Sequence, residues 1–168
     1  MKNKIILSVV GLIAIATASQ AQSTATATST ATVITPISIS KTADMSFGNL
    51  AVQSSTGGTV VLAPAGTRTS TSGVTLPAAT GTVTAAAFTV TGSGSSTYSI
   101  TLPSTVTLTR VSGTETMTAG SFTSNPSSTG TLSGGTQNIA VGATLSVAAA
   151  QVAGTYNSSN FNVTVNYN

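Results

Sequence analysis

Strict alternation of apolar and polar residues near the C-terminus is the feature that most constrains this fold. The segment 160–168 reads NFNVTVNYN, and its apolar members are Phe161, Val163, Val165 and Tyr167. Period two places alternate side chains on opposite faces of a strand. The segment therefore predicts a last strand with one buried face, and it stays in register to the final residue. Asn and Thr guard an open strand edge poorly, so we expect this edge to need a partner.

Short alternating segments recur through most of the chain, about ten residues apart, with Gly, Pro or Ser-Ser between them. Ser and Thr supply 59 residues and Gly another 16, a composition typical of strands and turns. We therefore predict an all-β fold, an immunoglobulin-like β-sandwich. The predicted strands cover 59–64, 73–77, 85–92, 97–103, 105–110, 138–142, 143–149 and a last strand from Tyr156, with Met117 and Phe122 in weaker segments and a hairpin turn at 92–94.

The N-terminus has the form of a secretory signal peptide. Lys2 and Lys4 precede an apolar run of about a dozen residues, and a small-x-small cleavage pattern ends at Ala21. A retained membrane anchor is the alternative, but the run is shorter than the roughly 20 residues that cross a bilayer. We expect no membrane-spanning segment in the mature chain. The predicted organisation is a signal peptide at 1–21, a low-complexity arm at 22–35 and a single β-sandwich domain at 36–168.

The arm is rich in small residues that alternate. Ala25, Ala27, Ala31 and Val33 share one parity, with Thr, Ser or Ala between them. The pattern is compatible with a flexible segment and with an extended strand that has a narrow apolar face. One molecule's arm would then pair with another molecule's open edge at Phe161, Val163, Val165 and Tyr167, which is β-strand addition. In the alternative, the arm folds back beside its own last strand, and Ile37 and Ile39 supply the missing strand.

The chain is poor in residues that do chemistry. It has no Cys, His or Trp, and after cleavage its charges are Lys41, Arg68, Arg110, Asp44 and Glu115. Two carboxylates 71 positions apart do not form a recognisable glycosidase pair, and a Ser/Lys dyad through Lys41 has no supporting motif. Metal sites of hard cations need more carboxylates, and no basic patch favours nucleic acid. We expect a non-enzymatic protein without cofactor or metal.

A monomeric secreted binding module, for glycans or a surface protein, is the second hypothesis. Its candidate surfaces are the predicted Ser/Gly/Thr loops at 66–73 and 124–138, because loops on a rigid scaffold often carry binding residues. Tyr98, Tyr156 and Tyr167 are compatible with a sugar-binding surface and also with half-buried strand residues whose hydroxyls are solvated.

Four blocks give the chain a family likeness, namely 30–50, 58–76, 85–103 and 141–168. In their order they resemble the secreted bacterial family catalogued as domain of unknown function 4402. The pattern is also similar to the spore-coat-U/archaic pilin group, through Phe47-Gly48 and a closing strand with Gly154, Tyr156 and Tyr167. The resemblance implies an incomplete, pilin-like sandwich that a chaperone holds and an usher polymerises. This chain lacks the cysteine pair of that group.

The resulting expectation is an exported structural protein of the bacterial cell surface. It would be a pilin- or coat-like subunit, exported through the periplasm of a Gram-negative bacterium. Its partners would be further copies of itself or a chaperone/usher system.

Overall fold

The computed structural model describes residues 22–168, and the predicted signal peptide at 1–21 lies outside the described residues. The chain divides into two compact units, Met1–Thr32 and Val33–Asn168. In the first unit, the described residues 22–32 are exposed and belong to no strand. The second unit contains all the strands, and no helix occurs among residues 22–168. Among these residues, then, no helix exists that could cross a membrane.

Alternating sequences form the strands, as the period-two pattern predicts. The strands within residues 22–168 are β1 (Ser38–Ala43), β2 (Ser46–Phe47), β3 (Ala51–Val52), β4 (Gly58–Leu62), β5 (Arg68–Ser72), β6 (Val74–Thr75), β7 (Val83–Thr84), β8 (Ala86–Thr91), β9 (Thr97–Thr101), β10 (Thr105–Arg110), β11 (Thr116–Asn125), β12 (Thr129–Thr131), β13 (Thr136–Val147), β14 (Tyr156–Ser158) and β15 (Thr164–Tyr167).

The strands form antiparallel sheets, so the all-β prediction is confirmed. An eight-stranded sheet has the order β1-β8-β13-β11-β10-β14, and β4 with its neighbour β5 pairs with the second half of β13. A three-stranded sheet has the order β12-β9-β15. Two short pairs, β2-β7 and β3-β6, complete the described strands. Apolar side chains between these sheets form two core clusters.

The first core cluster surrounds β8, β9, β15 and the first half of β13. Its fully buried members include Val90, Tyr98, Leu132, Ile139 and Val141. The second cluster surrounds β4, the first half of β11 and the second half of β13, with Val60, Leu62, Ala119, Ala143 and Leu145 almost completely buried. Half-buried Met45 and Phe122 pack against both clusters. The apolar interior is therefore in two parts that only a few side chains connect.

Several predicted strand boundaries are wrong. Met117 and Phe122, expected in weak segments, lie in the ten-residue strand β11. The predicted strands 138–142 and 143–149 are one long strand, β13, which runs through Gly142 and ends at Val147. A Cβ at Gly142 would overlap the Leu62 carbonyl oxygen, so the glycine marks a close approach of β4. The sequence pattern predicts a break between two strands at this glycine.

The chain crosses between sheets where simple turns were predicted. Residues 92–94 do not close a hairpin, because β8 lies in the large sheet and β9 in the three-stranded one. The predicted strand from Tyr156 is two strands for the same reason. β14 pairs with β10, whereas β15 pairs with β9. A pattern of alternation reports a strand but does not say which sheet it joins.

Candidate assembly groove

A groove of about 1270 Å³ opens on one side of the second core cluster. Its floor is the inward face of the large sheet, and two other parts of the chain line it. We call Ala43–Val52 the N-terminal wall and Gln151–Asn162 the C-terminal wall. The apolar floor residues are Phe88, Val106, Leu108, Met117, Ala119, Phe122 and Leu145.

The floor belongs to strands whose inward face is only partly covered. Val106 pairs across the strands with Ala119, and Leu108 pairs with Met117, so all four side chains share one face. Met117 and Ala119 are buried, at 8% and 2% exposure. Val106 and Leu108 are half-buried, and Val106 packs against neither core cluster. The apolar face thus continues from the core into the open groove.

The N-terminal wall is made of two very short strands with free edges. Among the described residues, β2 pairs only with β7 and β3 pairs only with β6. Each strand therefore keeps one edge without a strand partner, and such an edge is a template for another extended segment. The groove combines an apolar floor with an unpaired backbone edge, which are the two features that a bound β-strand requires.

Arg68 holds the N-terminal wall in place from β5. Its guanidinium Nη1 donates to the carbonyl oxygens of Phe47 and Asn49, the latter at 2.7 Å, and Nη2 reaches the Thr80 oxygen at 3.4 Å. A planar guanidinium with several N–H donors satisfies these carbonyls together, which a lysine ammonium cannot match in geometry.

We expect Arg68→Leu to lower the free energy of unfolding by about 1–2 kcal/mol, because hydrogen bonds from a charged donor are lost and the site is partly solvated. Urea unfolding measures the change. Arg68→Lys is the matched control, since it keeps the charge but loses the fork, and we expect an intermediate loss. An unfolding midpoint of Arg68→Leu equal to that of the parent chain would contradict the role of Arg68.

The C-terminal wall is anchored by Tyr156 and by an aromatic pair. The Tyr156 hydroxyl donates to the Val152 carbonyl at 2.7 Å and accepts from Gln151 Nε2 at 2.8 Å. The rings of Phe122 and Phe161 lie 5.5 Å apart at 47°, an arrangement that stabilises aromatic pairs. Phe161 therefore ties the C-terminal wall to the floor.

The predicted acceptor edge consists of Phe161, Val163, Val165 and Tyr167. These residues share one face of the chain, but only Phe161 lines the groove. Phe161 lines the groove, Val163 and Val165 are buried in the first cluster at 9% and 8% exposure, and Tyr167 is half-buried. Within residues 22–168, β15 pairs on one edge only, with β9. Asn168 N donates to the Thr97 oxygen, so the even-numbered residues face β9. The backbone groups of Val163, Val165 and Tyr167 therefore face the free edge.

The four residues of the predicted donor arm, Ala25, Ala27, Ala31 and Val33, are exposed and belong to no strand. Val33 is 96% exposed, which is unusual for a branched apolar side chain. The donor role of these residues stays a prediction.

The fold-back alternative assigned Ile37 and Ile39 to a strand beside the last one, and this is wrong. Ile39 lies in β1, which pairs with β8 in the large sheet. Both isoleucines pack against the first cluster. The inward side chains of β1 thus cover part of the core, and the backbone edge of β15 stays free.

The sequence is compatible with half-buried strand tyrosines, and Tyr156 and Tyr167 are half-buried, whereas Tyr98 is not. Tyr98 is completely buried and donates to Gln137 Oε1 at 2.6 Å, and burial raises the pKa of its hydroxyl. Tyr167 Oη accepts from Ser93 N at 2.6 Å and donates to the Thr35 carbonyl at 2.8 Å. Each hydroxyl, including that of Tyr156, has protein partners, and the three side chains do not form one surface.

The predicted binding loops are also largely absent. Residues 68–72 form β5, so the expected loop at 66–73 is a strand. The expected loop at 124–138 contains β12 and ends inside β13. Alternating Thr and Ser residues form these strands, and their lack of large apolar side chains made them resemble loops.

The two acidic residues each pair with a nearby cation. Lys41 Nζ lies 2.6 Å from Asp44 Oδ1 in an exposed pair, and Arg110 Nε lies 2.6 Å from Glu115 Oε2 across the β10-β11 turn. Hydrogen bonding from Arg110 is the main cause that lowers the pKa of the Glu115 carboxyl below its ordinary value of 4.5.

Because the folded pKa of Glu115 is lowered, its stabilising contribution is present above pH 4.5 and is lost as pH falls through the folded value. We expect Glu115→Gln to reduce the loss of stability in acid, measured by urea unfolding between about pH 3 and pH 6. Asp44→Asn is the control, because its ion pair is exposed and contributes little. An identical acid dependence in Glu115→Gln and the parent chain would contradict this role of the pair.

The groove was not predicted from the sequence, although the sequence does indicate part of its apolar floor. The alternation of Val106 and Leu108 in TVTLTR predicts an apolar face. It does not indicate that this face is left partly uncovered, since that depends on where distant segments cross.

Comparison with known proteins gives one assignment. No curated protein and no solved structure matches the chain. The family model described as "Domain of unknown function (DUF4402)" matches residues 37–167. That match begins just before β1 and extends to the end of β15, so it covers the β-domain with both walls and the floor of the groove. The chain therefore belongs to the DUF4402 family.

Proposed function

We propose that this protein is an exported structural subunit that assembles by β-strand exchange. In an assembly, the N-terminal arm of one copy occupies the groove of the next copy. The observation that carries the proposal is the groove, because an apolar floor lies beside strands with unpaired edges. The immunoglobulin-like, pilin-like form of the sandwich, with one strand supplied by a neighbour, is part of this proposal.

The arm has the properties that such a groove needs. It is exposed and belongs to no strand, and Ala25, Ala27, Ala31 and Val33 share one parity. Three of these four residues are alanine, and small side chains fit against a floor with bulky Met117, Phe122 and Phe88. Backbone hydrogen bonds along the free edges would supply affinity, and the alternate side chains would supply specificity.

The low charge of the chain favours dense packing of many copies. The mature charges are three cations and two anions, a net of +1. Four of these five charges are already in ion pairs within the domain. Little long-range repulsion therefore opposes assembly. The remaining charge, Arg68, donates to backbone carbonyls in the N-terminal wall.

An unoccupied groove is a hazard before assembly, because exposed apolar floor and free strand edges promote aggregation. The need to cover the groove before assembly supports a chaperone as a transient partner and an usher for surface display. A secreted binding module is less well supported, because the segments expected to be its loops are largely strands.

Electrophoresis in SDS with and without boiling tests the proposal. The mature protein, purified from the surface of its own bacterium, should give a ladder of multiples that collapses to monomer only on heating, because exchanged strands dissociate slowly. A single monomer band under both conditions would overturn the proposal.

A further inference from the structure

The root of the arm is held at a defined place on the domain. Tyr167 Oη donates a hydrogen bond to the Thr35 carbonyl oxygen at 2.8 Å, and it accepts one from Ser93 N at 2.6 Å. A Cβ at Gly92 would overlap Tyr167 Oη, so the glycine leaves the space in which this hydroxyl sits. One side chain thus connects the arm, the β8-β9 connection and the end of β15.

This root lies away from the groove. Lys41 and Ala43 line the groove at the C-terminal end of β1, whereas Thr35 precedes the start of that strand. Likewise Phe161 and Asn162 line the groove before β15, whereas Tyr167 is its last residue. The four residues of β15 separate the two places, roughly 13 Å at 3.3 Å per residue.

The backbone at the root is also biased against reversal. Thr35 precedes Pro36, and the residue before a proline favours extended conformations. Pro36 itself has a restricted φ. To enter its own groove the arm would have to turn back here, although residues 27–35 are long enough to cover roughly 26 Å when extended.

We infer that Tyr167 is a positioning residue that directs the arm to a neighbouring copy instead of its own groove. The inference rests on the proposed function, since it concerns which groove the arm fills. The arm leaves the domain at one end, and the groove lies at the other end. The contact between two copies is therefore head-to-tail and joins different surfaces. Repeated contacts of this kind produce an open filament whose two ends differ.

The absence of cysteine allows a direct test by cross-linking. In the full mature chain with Ala27→Cys in the arm and Val106→Cys on the floor, a disulfide between these two positions forms only when the arm fills a groove. On non-reducing denaturing gels, cross-links between copies give a ladder, and cross-links within a copy give a monomer of altered mobility. We expect a ladder from the double-cysteine chain.

Adding Tyr167→Phe should raise the ratio of monomeric to intermolecular cross-links about fivefold, the factor that one net hydrogen bond contributes. Pro36→Gly, an exposed change outside the core, should raise the same ratio and remains informative if Tyr167→Phe folds poorly. Thr59→Val is the control, because it removes a hydroxyl that hydrogen-bonds Thr71 between β4 and β5, outside the residues that line the groove, and it should leave the ratio unchanged.

The possible results of the cross-linking experiment distinguish failure of the proposed function from failure of the inference about Tyr167. No cross-link of either kind would overturn the proposed function and the inference together. A ladder would support the proposed function. If the ratio of monomeric to intermolecular cross-links then stayed the same in both Tyr167→Phe and Pro36→Gly, the inference alone would be overturned. An equal rise with Thr59→Val would also overturn it, because general destabilisation would then explain the change.

Discussion

Deletion of residues 22–34 is expected to abolish every band above the monomer, because the strand that fills the groove is gone. Placing the same residues 22–34 after Asn168 through a flexible linker should restore a filled groove within one chain, at the high effective concentration of a tethered segment. A strand that follows β15 in this way would run antiparallel along its free edge. The fused chain should therefore be a stable monomer.

The gain in stability of the fused chain can be estimated from the floor. Completing the burial of half-exposed Val106 and Leu108 contributes about 2 kcal/mol. For a domain of this size that raises Tm by roughly 5 °C. Calorimetry of the fused and arm-deleted chains measures the difference. A fusion carrying Ala27→Asp should lose the gain, whereas Thr26→Asp, on the other face of the arm, should keep it. Equal Tm values for the fused and arm-deleted chains would count against donation.

Val106→Asp is expected to reduce assembly by at least about 100-fold while the domain stays folded. An occupied groove would bury the new carboxylate without a partner, at a cost of several kcal/mol. In the free domain Val106 packs against neither core cluster, so the aspartate stays solvated there. The unboiled SDS ladder measures assembly, and urea unfolding checks the fold.

Thr107→Asp is the matched control for this change. It adds the same charge one residue along β10, on the exposed face of the sheet. We expect it to assemble like the parent chain. Equal ladders from Val106→Asp and the parent would show that the groove is not the assembly site. Equal loss in both variants would point to charge itself and not to the groove.

The alternation of particular residues determined much of the fold. Val106 and Leu108 in β10, Phe88 and Val90 in β8, and Val163 with Val165 all face inward or toward the groove, as period two requires. Thr and Ser between them face solvent. Short-range side-chain preferences are local, so they can be read from one segment at a time.

Other elements could not be predicted because their surroundings decide them. β5 consists of Arg, Thr and Ser, and it is a strand because β4 pairs with it along its length. Residues 136–147 are one strand because Gly142 tolerates the close approach of β4. Tyr98 is completely buried instead of half-buried because Gln137, from a strand in another sheet, provides a partner for its hydroxyl.

The sequence by itself determined an all-β chain, the inward parity of its last strand and an exposed arm of small residues. It also narrowed the chemistry, because a chain without Cys or His has few reactive side chains. Only the tertiary structure decided that Ile39 joins β8, that β15 keeps a free edge and that Val106 lies in an open groove. The physical reason is that side-chain parity is a local property, whereas the pairing of edges and the covering of a face depend on segments far apart in the chain.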